Sequence, residues 1–521
     1  MTLVLEDPQQ NAGGYVASPP TRADRFPTRP VVGAILLSIA LRARFVTTPL
    51  SADEGGYMAV ARAWASGKSL YGQAWVDRPQ GLVILFRIWD DLTGGSSESI
   101  RVMAIVFGCV AVAAVAYAVF AFAGPRAGAI AAFLVAVASS NARIEGFIAN
   151  GELLAGAVAT TGVAAACAYI FRGRRLRWLF VSGVAAGCAI SLKQSGFDGF
   201  MAVMVCLLVG GLTGERRWRE VFRECAVCVA GLATVLAVLL LHGVLLGFSA
   251  WWYALVGYRI SGLNATNADW HRFGITSRLA APTILPLAGV ALVGVIAWIP
   301  FKPRITRKTV LVPAWICFAV AALLAGGLFH RHYWVTLTFP FAAAAAVAIG
   351  RIKGHVAIAI AVASLAVIPS LISTEHVIVL NRSAVAIVAH DDPRLTIDEH
   401  VARWYTDHRT PGSTLYALCA SAAMYADADA IPPYPYLWLD GVQHGKGAQA
   451  KLAQLFGGEH PPTFVARYQP VGVCNPDGEV GLLLNNRYTQ VEDVGGAIIY
   501  QLRGDSQIAP SPSRSTFPTL S

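Results

Sequence analysis

Thr47-Thr48-Pro49-Leu50-Ser51-Ala52-Asp53-Glu54-Gly55-Gly56-Tyr57 is the stretch whose reading decides the fold. It ends an apolar run over 31–49 and sets two adjacent carboxylates directly after it. Acids are costly to hold next to hydrocarbon, so a pair kept at a membrane surface points to a task there. More apolar runs follow, which puts the pair at the start of the first loop of a chain that crosses a bilayer repeatedly.

Composition agrees. Of 521 residues, 55% are hydrophobic and 14% charged, and the mean hydropathy is +0.53. A soluble domain carries roughly 25% charged residues, so the chain reads as an integral membrane protein. A formal charge of +10 would suggest nucleic acid in a soluble protein. Here Lys and Arg gather in short loops between apolar runs, as the positive-inside rule expects, and no nucleic-acid partner is expected.

A spanning helix needs about 20 mostly apolar residues. Candidate spans are 31–49, 99–122, 127–142, 151–171, 178–194, 198–213, 222–247, 281–300, 309–328, 333–350 and 355–373, about eleven in all. If they alternate, the basic groups fall on one side: Arg22, Arg25 and Arg29, Arg126, Arg172 to Arg177, Arg216 to Arg223, Lys302 to Lys308, and Arg351 with Lys353. That side is then cytoplasmic, and the N-terminus with it. The expected location is the plasma membrane, the inner one where there are two, with many passes.

The organisation expected is a cytoplasmic disordered tail over 1–30, a transmembrane module over 31–373, an exported domain over 374–503 and a disordered tail over 504–521. Within the outer loop 50–98, residues 53–67 and 79–93 mix apolar and polar positions and read as amphipathic helices in the interface. The C-terminal part has strand-like runs at Ser413–Leu418, Thr463–Tyr468 and Ala497–Leu502, with helical stretches at 396–409 and 447–457. The fold class is thus a polytopic α-helical membrane protein with a small C-terminal α/β domain.

Seven of the nine cysteines lie in or beside apolar segments, where Cys behaves as a small hydrophobe. The pair Cys225 and Cys228 has no second pair or nearby His, which argues against redox or zinc chemistry. Cys419 and Cys474 are the two in the C-terminal polar region and could pair if it is exported. His242, inside an apolar helix, reads as a core residue.

Almost every chemically interesting residue falls on the outer side. The acids are Asp53, Glu54, Asp77, Glu145 and Glu152; the basic groups are Arg78, Arg101, Arg143, Lys193, Arg259, Arg331 and His332. A carboxylate can take a proton from a hydroxyl, and Arg and Lys bind phosphate by charge-assisted hydrogen bonds. The plainer reading is a set of ion pairs joining outer loops. Trp251, Trp252, Tyr253 and Tyr258 form either an interfacial aromatic belt or a lid over a lipid. No ligand cluster requires a metal.

The motif order resembles a known family. D-E-G-G-Y at Asp53–Tyr57, D-R-P-Q-G at Asp77–Gly81 and R-V-M-A from Arg101 look like the polyprenyl-phosphate-dependent membrane glycosyltransferases of the GT-C class. The nearest branch is the dolichyl-phosphate-mannose–protein mannosyltransferase family, with the lipid A aminoarabinose transferase. Asn150-Gly151-Glu152, L-K-Q-S at Leu192–Ser195, H-Y-W-V-T-L-T-F-P at His332–Pro340 and the tail P-G-S-T-L-Y-A-L extend the resemblance over roughly 31–503. Gln80 stands where a second Pro is usual, and Arg78 where Lys is common.

The resemblance implies inverting transfer of a sugar from a polyprenyl-phosphate donor to a hydroxyl acceptor in the cell envelope. It implies catalytic roles for Asp53, as base, and for Glu54 and Glu152. It assigns donor-phosphate binding to Arg78, Lys193, Arg331, His332 and Tyr57, and acceptor or structural roles to Asp77, Arg101 and Glu145. No cofactor is required, though a divalent cation shared by Asp53 and Glu152 is compatible. A secondary transporter or lipid flippase is the alternative. Such proteins hold polar groups near the bilayer midplane, often in repeated halves, whereas these acids crowd the outer loops.

Overall fold

The computed structural model describes residues 25–260, 268–297, 304–352, 354–476 and 478–504. In chain order its first helices are α1 (Thr28–Ala43), α2 (Ala52–Ala65), α3 (Gln80–Thr93), α4 (Ser97–Ala123), α5 (Pro125–Ala138), α6 (Gly151–Arg172), α7 (Arg177–Leu192) and α8 (Asp198–Leu212). They continue with α9 (Trp218–Trp252), α10 (Trp270–Ile296), α11 (Arg307–Ala325), α12 (Val335–Gly350) and α13 (Val356–Ile378). A helix lies at each of the eleven apolar runs read from the sequence. Among the described residues, seven helices are long and apolar enough to cross a membrane: α4, α6, α9 with its continuation to Ile260, α10, α11, Arg331–Gly350 and α13. α5, α7 and α8 are shorter apolar helices.

Several boundaries differ from expectation for identifiable reasons. α1 stops at Ala43, not near 49. The buried Arg42 is bound there by Ser38, by the carbonyls of Ser139 (2.7 Å) and Gly146 (2.9 Å), and by Ser140, which ties the end of α1 to the turn before α6. α9 runs past 247 because Gly247, at φ +105°, kinks the helix instead of ending it. α10 begins eleven residues before the expected 281, since the Asp269 side chain caps it by accepting from Arg272 N at 2.9 Å. His242 is half-buried, its ring 5.9 Å from that of Trp64, and is not a core residue.

The two short helices expected between the first two apolar runs form, and α2 is largely covered by protein. Nine of its fourteen residues are buried. Its small residues Gly55 and Gly56 admit the C-terminal segment so closely that a Cβ would fall 2.4 Å from Ala423 Cα or from Trp438 Cζ2. α3 keeps one buried face, with Leu82, Val83 and Phe86, and ends at Gly94 in the left-handed conformation.

Beyond α13 come α14 (Arg382–His390), α15 (Arg394–His408), β1 (Leu415–Leu418), α16 (Ala423–Asp427), α17 (Leu439–His444), α18 (Ala448–Gly457), β2 (Phe464–Arg467), α19 (Glu479–Arg487), β3 (Tyr488–Val494) and β4 (Ala497–Leu502). The strands form one sheet in the order β1-β2-β4-β3. β1 and β2 are parallel, and the other pairings are antiparallel. β3 was missed in the sequence because five of its seven residues are exposed on the sheet edge, which leaves no apolar alternation to read. Cys419 and Cys474 are joined as a disulfide.

Polar contacts also join α2, α3 and α4 to one another and to the C-terminal segment. Arg62 of α2 pairs with Asp90 of α3 at 3.1 Å and Asp429 at 3.3 Å. Ser97 at the start of α4 donates to Asp427 Oδ1 at 3.0 Å. Burial raises the Asp427 carboxyl from an ordinary 3.8 to about 7, against the opposing Ser97 hydrogen bond. The folded state therefore binds this proton more tightly. The resulting stabilisation is complete below the unfolded carboxylate range and is lost as pH rises to about 7. Asp427→Asn keeps an acceptor for Ser97 without the charge. It is expected to melt several degrees above wild type at pH 8, with the gap closing toward pH 4, in thermal unfolding in detergent. A gap independent of pH would contradict this account.

Candidate active site

The adjacent acids at the head of α2 have different surroundings. Glu54 is fully buried and completes a capping box with Ser51. Its Oε2 accepts from Ser51 N at 3.1 Å and its Oε1 from Ala149 N at 2.8 Å, and Arg101 Nη1 lies 3.2 Å from Oε2. Arg101, 1% exposed, also donates to the Pro49 carbonyl and stacks over Phe147 at 4.9 Å. Both groups are thus spent on joining α2, α4 and the turn before α6. Asp53 keeps 22% of its side chain exposed. Its Oδ1 accepts from Trp438 Nε1 at 3.2 Å, and its Oδ2 lies 3.8 Å from His332 Nε2.

His332 gathers the remaining acids. Its Nε2 is 3.8 Å from Glu152 Oε1 as well as from Asp53, and its Nδ1 is 2.8 Å from Glu145 Oε2. The other Glu145 oxygen lies 2.7 Å from Nδ1 of His390. Burial would raise the Glu145 carboxyl, but the hydrogen bonds from His332 and His390 outweigh it and hold it well below the usual range. Glu145 has φ +55°, uncommon for a residue with a Cβ, which turns its side chain between the two imidazoles. His330 stacks on His332 at 5.5 Å; burial and the neighbouring His332 push its imidazole far below its ordinary value.

Cations line the adjoining side. Arg78 Nη1 is 2.7 Å from Asp77 Oδ1, and Arg259 pairs with the other Asp77 oxygen. Burial would raise the Asp77 carboxyl, yet Arg259 and Arg78 together hold it below its ordinary value. Tyr57 lies beside Arg78, whose charge opposes the effect of burial on its phenol. Lys193, in extended conformation at the end of α7, contacts Glu152 and lies 4.1 Å over the Tyr333 ring. Arg78 and Arg259 lie close enough to Lys193 to repel its charge. Gln80, in place of the usual second Pro, donates to the Leu239 carbonyl at 2.6 Å and accepts from Trp251 Nε1 at 2.9 Å. The loop before α3 is thereby held to the kinked end of α9.

The structure therefore joins Asp53, Glu145, Glu152, His332 and Lys193 in one run of contacts, with Arg78, Asp77 and Tyr57 beside it. His332 sits among carboxylates, not among the cations with which the sequence grouped it. Arg331 is also drawn elsewhere, to the carbonyls of Val388 (2.6 Å) and Ala389 (2.8 Å) and to Asp391 at 3.5 Å. Trp438 and His390 were missed, because nothing in their local sequence marks them. Glu152, one of the two acids that a shared cation would need, is engaged by Lys193, and among the described residues no three His, Cys, Asp or Glu side chains are grouped to hold a metal.

A family model described as dolichyl-phosphate-mannose-protein mannosyltransferase matches residues 77–242. The fold is similar to that of ArnT from Cupriavidus metallidurans bound to undecaprenyl phosphate, with a TM-score of 0.63 and 13% identity over 93% of this chain and 99% of that one. It is similar also to the archaeal oligosaccharyltransferase AglB from Archaeoglobus fulgidus, in complex with an inhibitory peptide and a dolichol-phosphate, with a TM-score of 0.58 and 12% identity over 93% of this chain and 75% of that one. No curated protein matches the chain in sequence. The likeness to GT-C transferases read from the motifs is present in sequence over 77–242 and in fold across 93% of the chain.

The two acids of the motif should separate in a stability experiment. Glu54→Gln leaves the Arg101 charge buried without its partner and is expected to cost about 3 kcal/mol. Asp53→Asn, part-exposed, is expected to melt close to wild type. Thermal unfolding in detergent measures both, and a Glu54→Gln protein as stable as wild type would remove the buttressing role.

Proposed function

We propose that the chain is an inverting glycosyltransferase that moves a sugar from a polyprenyl-phosphate-linked donor to a hydroxyl acceptor on the exported face of the membrane. The observation that carries this reading is the crowding of Arg78, Arg259 and Lys193 beside the part-exposed Asp53, in a fold shared with transferases whose structures hold polyprenyl phosphates. Each of the three has an acidic partner, yet they stand close enough to repel one another, and a lipid phosphate bound among them would meet three charged donors.

In the reaction, Asp53 takes the proton from the acceptor hydroxyl. The oxygen attacks the anomeric carbon from the face opposite the phosphate, so the configuration inverts. The bond from that carbon to the phosphate oxygen breaks, and the lipid phosphate departs with the electron pair. Arg78, Arg259 and Lys193 stabilise the charge that develops on it. Glu152 orients Lys193 and the acceptor side of the site. Glu54 acts through its neighbours by fixing the turn that carries Asp53. The protein supplies three cations itself; no metal ion is required, and a divalent cation shared by Asp53 and Glu152 is compatible with the reaction. The sugar is a hexose or pentose, mannose and arabinose being the two that the resemblance suggests. The acceptor is a protein, a glycolipid or a cell-wall glycan. The N-terminus is cytoplasmic and the C-terminal domain exported, so Asp53 faces the side where such acceptors lie.

The test uses purified wild type and Asp53→Asn with a panel of radiolabelled polyprenyl-phosphate sugars and a crude envelope acceptor fraction. Wild type is expected to transfer one of the sugars, and Asp53→Asn to be slower by a factor of about 100 or more. Equal transfer by both would remove Asp53 from the mechanism, and no transfer from any donor would overturn the enzyme reading. Arg259→Gln, which removes one cation from the phosphate side, is expected to raise the donor KM about tenfold, a loss of about 1.4 kcal/mol. A donor titration measures it, and an unchanged KM would take Arg259 out of the donor site.

A further inference from the structure

We infer that Trp438, from the C-terminal domain, is a positioning residue for Asp53, and that the paired glycines of the D-E-G-G-Y motif exist to let it reach that carboxylate. The inference rests on the reading of Asp53 as the base. It assigns a working part in the site to a domain that the function above leaves without one.

Gly55 and Gly56 form a seam. At Gly55 an added Cβ would fall 2.4 Å from Ala423 Cα; at Gly56 it would fall 2.4 Å from Trp438 Cζ2 and 2.9 Å from Cη2. No side chain fits between α2 and the C-terminal domain at either position. The close approach brings Trp438 Nε1 to 3.2 Å from Asp53 Oδ1 and sets the indole 5.7 Å from the Tyr57 ring.

Trp438 is itself held in place. It precedes α17, whose Asp440 accepts from the Tyr258 hydroxyl. Just upstream, Pro435 O accepts from Trp75 N at 3.4 Å, and the Tyr436 ring lies 4.9 Å from that of Trp75. The segment 435–440 is therefore fastened to the outer loop and to the end of α9 on both sides of Trp438.

A carboxylate on a short side chain rotates freely unless one oxygen is anchored. With Oδ1 bound to the indole N–H, Oδ2 is the oxygen left toward His332 and the open side of the site. A base must meet its proton within hydrogen-bond reach, so a fixed orientation favours the reacting geometry more than it favours substrate binding. Loss of the anchor is therefore read in kcat and not in KM.

The experiment uses the full-length protein and the donor that wild type accepts, with kcat, donor KM and melting temperature recorded. Trp438→Phe keeps the ring in the seam and drops the N–H. It is expected to lower kcat about tenfold, the effect of one hydrogen bond to a charged group, with KM within about twofold and the melting temperature unchanged. Gly56→Ala displaces the indole and should lower kcat comparably, and the double variant should be no slower than Gly56→Ala alone. Wild-type kcat in Trp438→Phe, alongside an inactive Asp53→Asn, would overturn the inference and leave the base intact. A Trp438→Phe protein that loses stability or raises KM without lowering kcat would also overturn it, showing a packing role. An active Asp53→Asn would defeat the reading of the base, and the inference with it.

Discussion

Two charges with almost no solvent fix the geometry of the site. Glu54 is fully buried and Arg101 is 1% exposed. A buried pair of this kind adds little net stability over a well-packed apolar pair; its effect here is positional. Glu54 binds the first turn of α2 to Ser51, to Arg101 of α4 and to Ala149 N, one residue before the Asn150 cap of α6. Asp53 is the residue before Glu54, and Glu152 is the second residue of α6. The ion pair therefore sets the spacing between the two acids that face His332.

Both acids also sit in the first turn of a helix, where the unpaired N–H groups and the helix dipole favour a negative charge. α2 and α6 bring such ends together, capped by Ser51 and Asn150. Both carboxylates thus stand at the positive end of a helix dipole. The basic side chains are left to the other side of the site, with one exception: Lys193 crosses to Glu152 and joins the two halves.

Much of this was legible in the sequence. The apolar runs, the paired acids, the Asp77-Arg78 step and Lys193 could be seen because hydropathy and local spacing are properties of short windows. What could not be seen depends on partners far away in the chain. Asp53 and Glu54 are neighbours, and only the position of Arg101 and Ala149 decides which is spent on structure. Arg259 and Arg331 look equivalent in the sequence, yet the first pairs with Asp77 and the second with carbonyls in the last turn of α14. That α2 packs closely against the C-terminal domain at Gly55 and Gly56 is likewise invisible in its local sequence. Trp438 and His390 lie in stretches with no motif, and their meaning comes from the carboxylates they meet.

Asp77 explains how the cations can be gathered before any anion arrives. Two guanidiniums brought together repel each other, and a third charge on Lys193 worsens the repulsion. Asp77 sits between Arg78 and Arg259 with one oxygen to each, which offsets their mutual repulsion and fixes the separation of the two groups. Gln194 Nε2 donates to the Asp77 carbonyl at 3.0 Å and ties that loop to the residue after Lys193. The three cations are then held by elements from the first outer loop, the end of α7 and the end of α9. An anion entering among them meets donors already oriented, and little reorganisation is left for the moment when charge develops on a leaving group. In the proposed reaction, one carboxylate thereby decides how effective three basic residues can be.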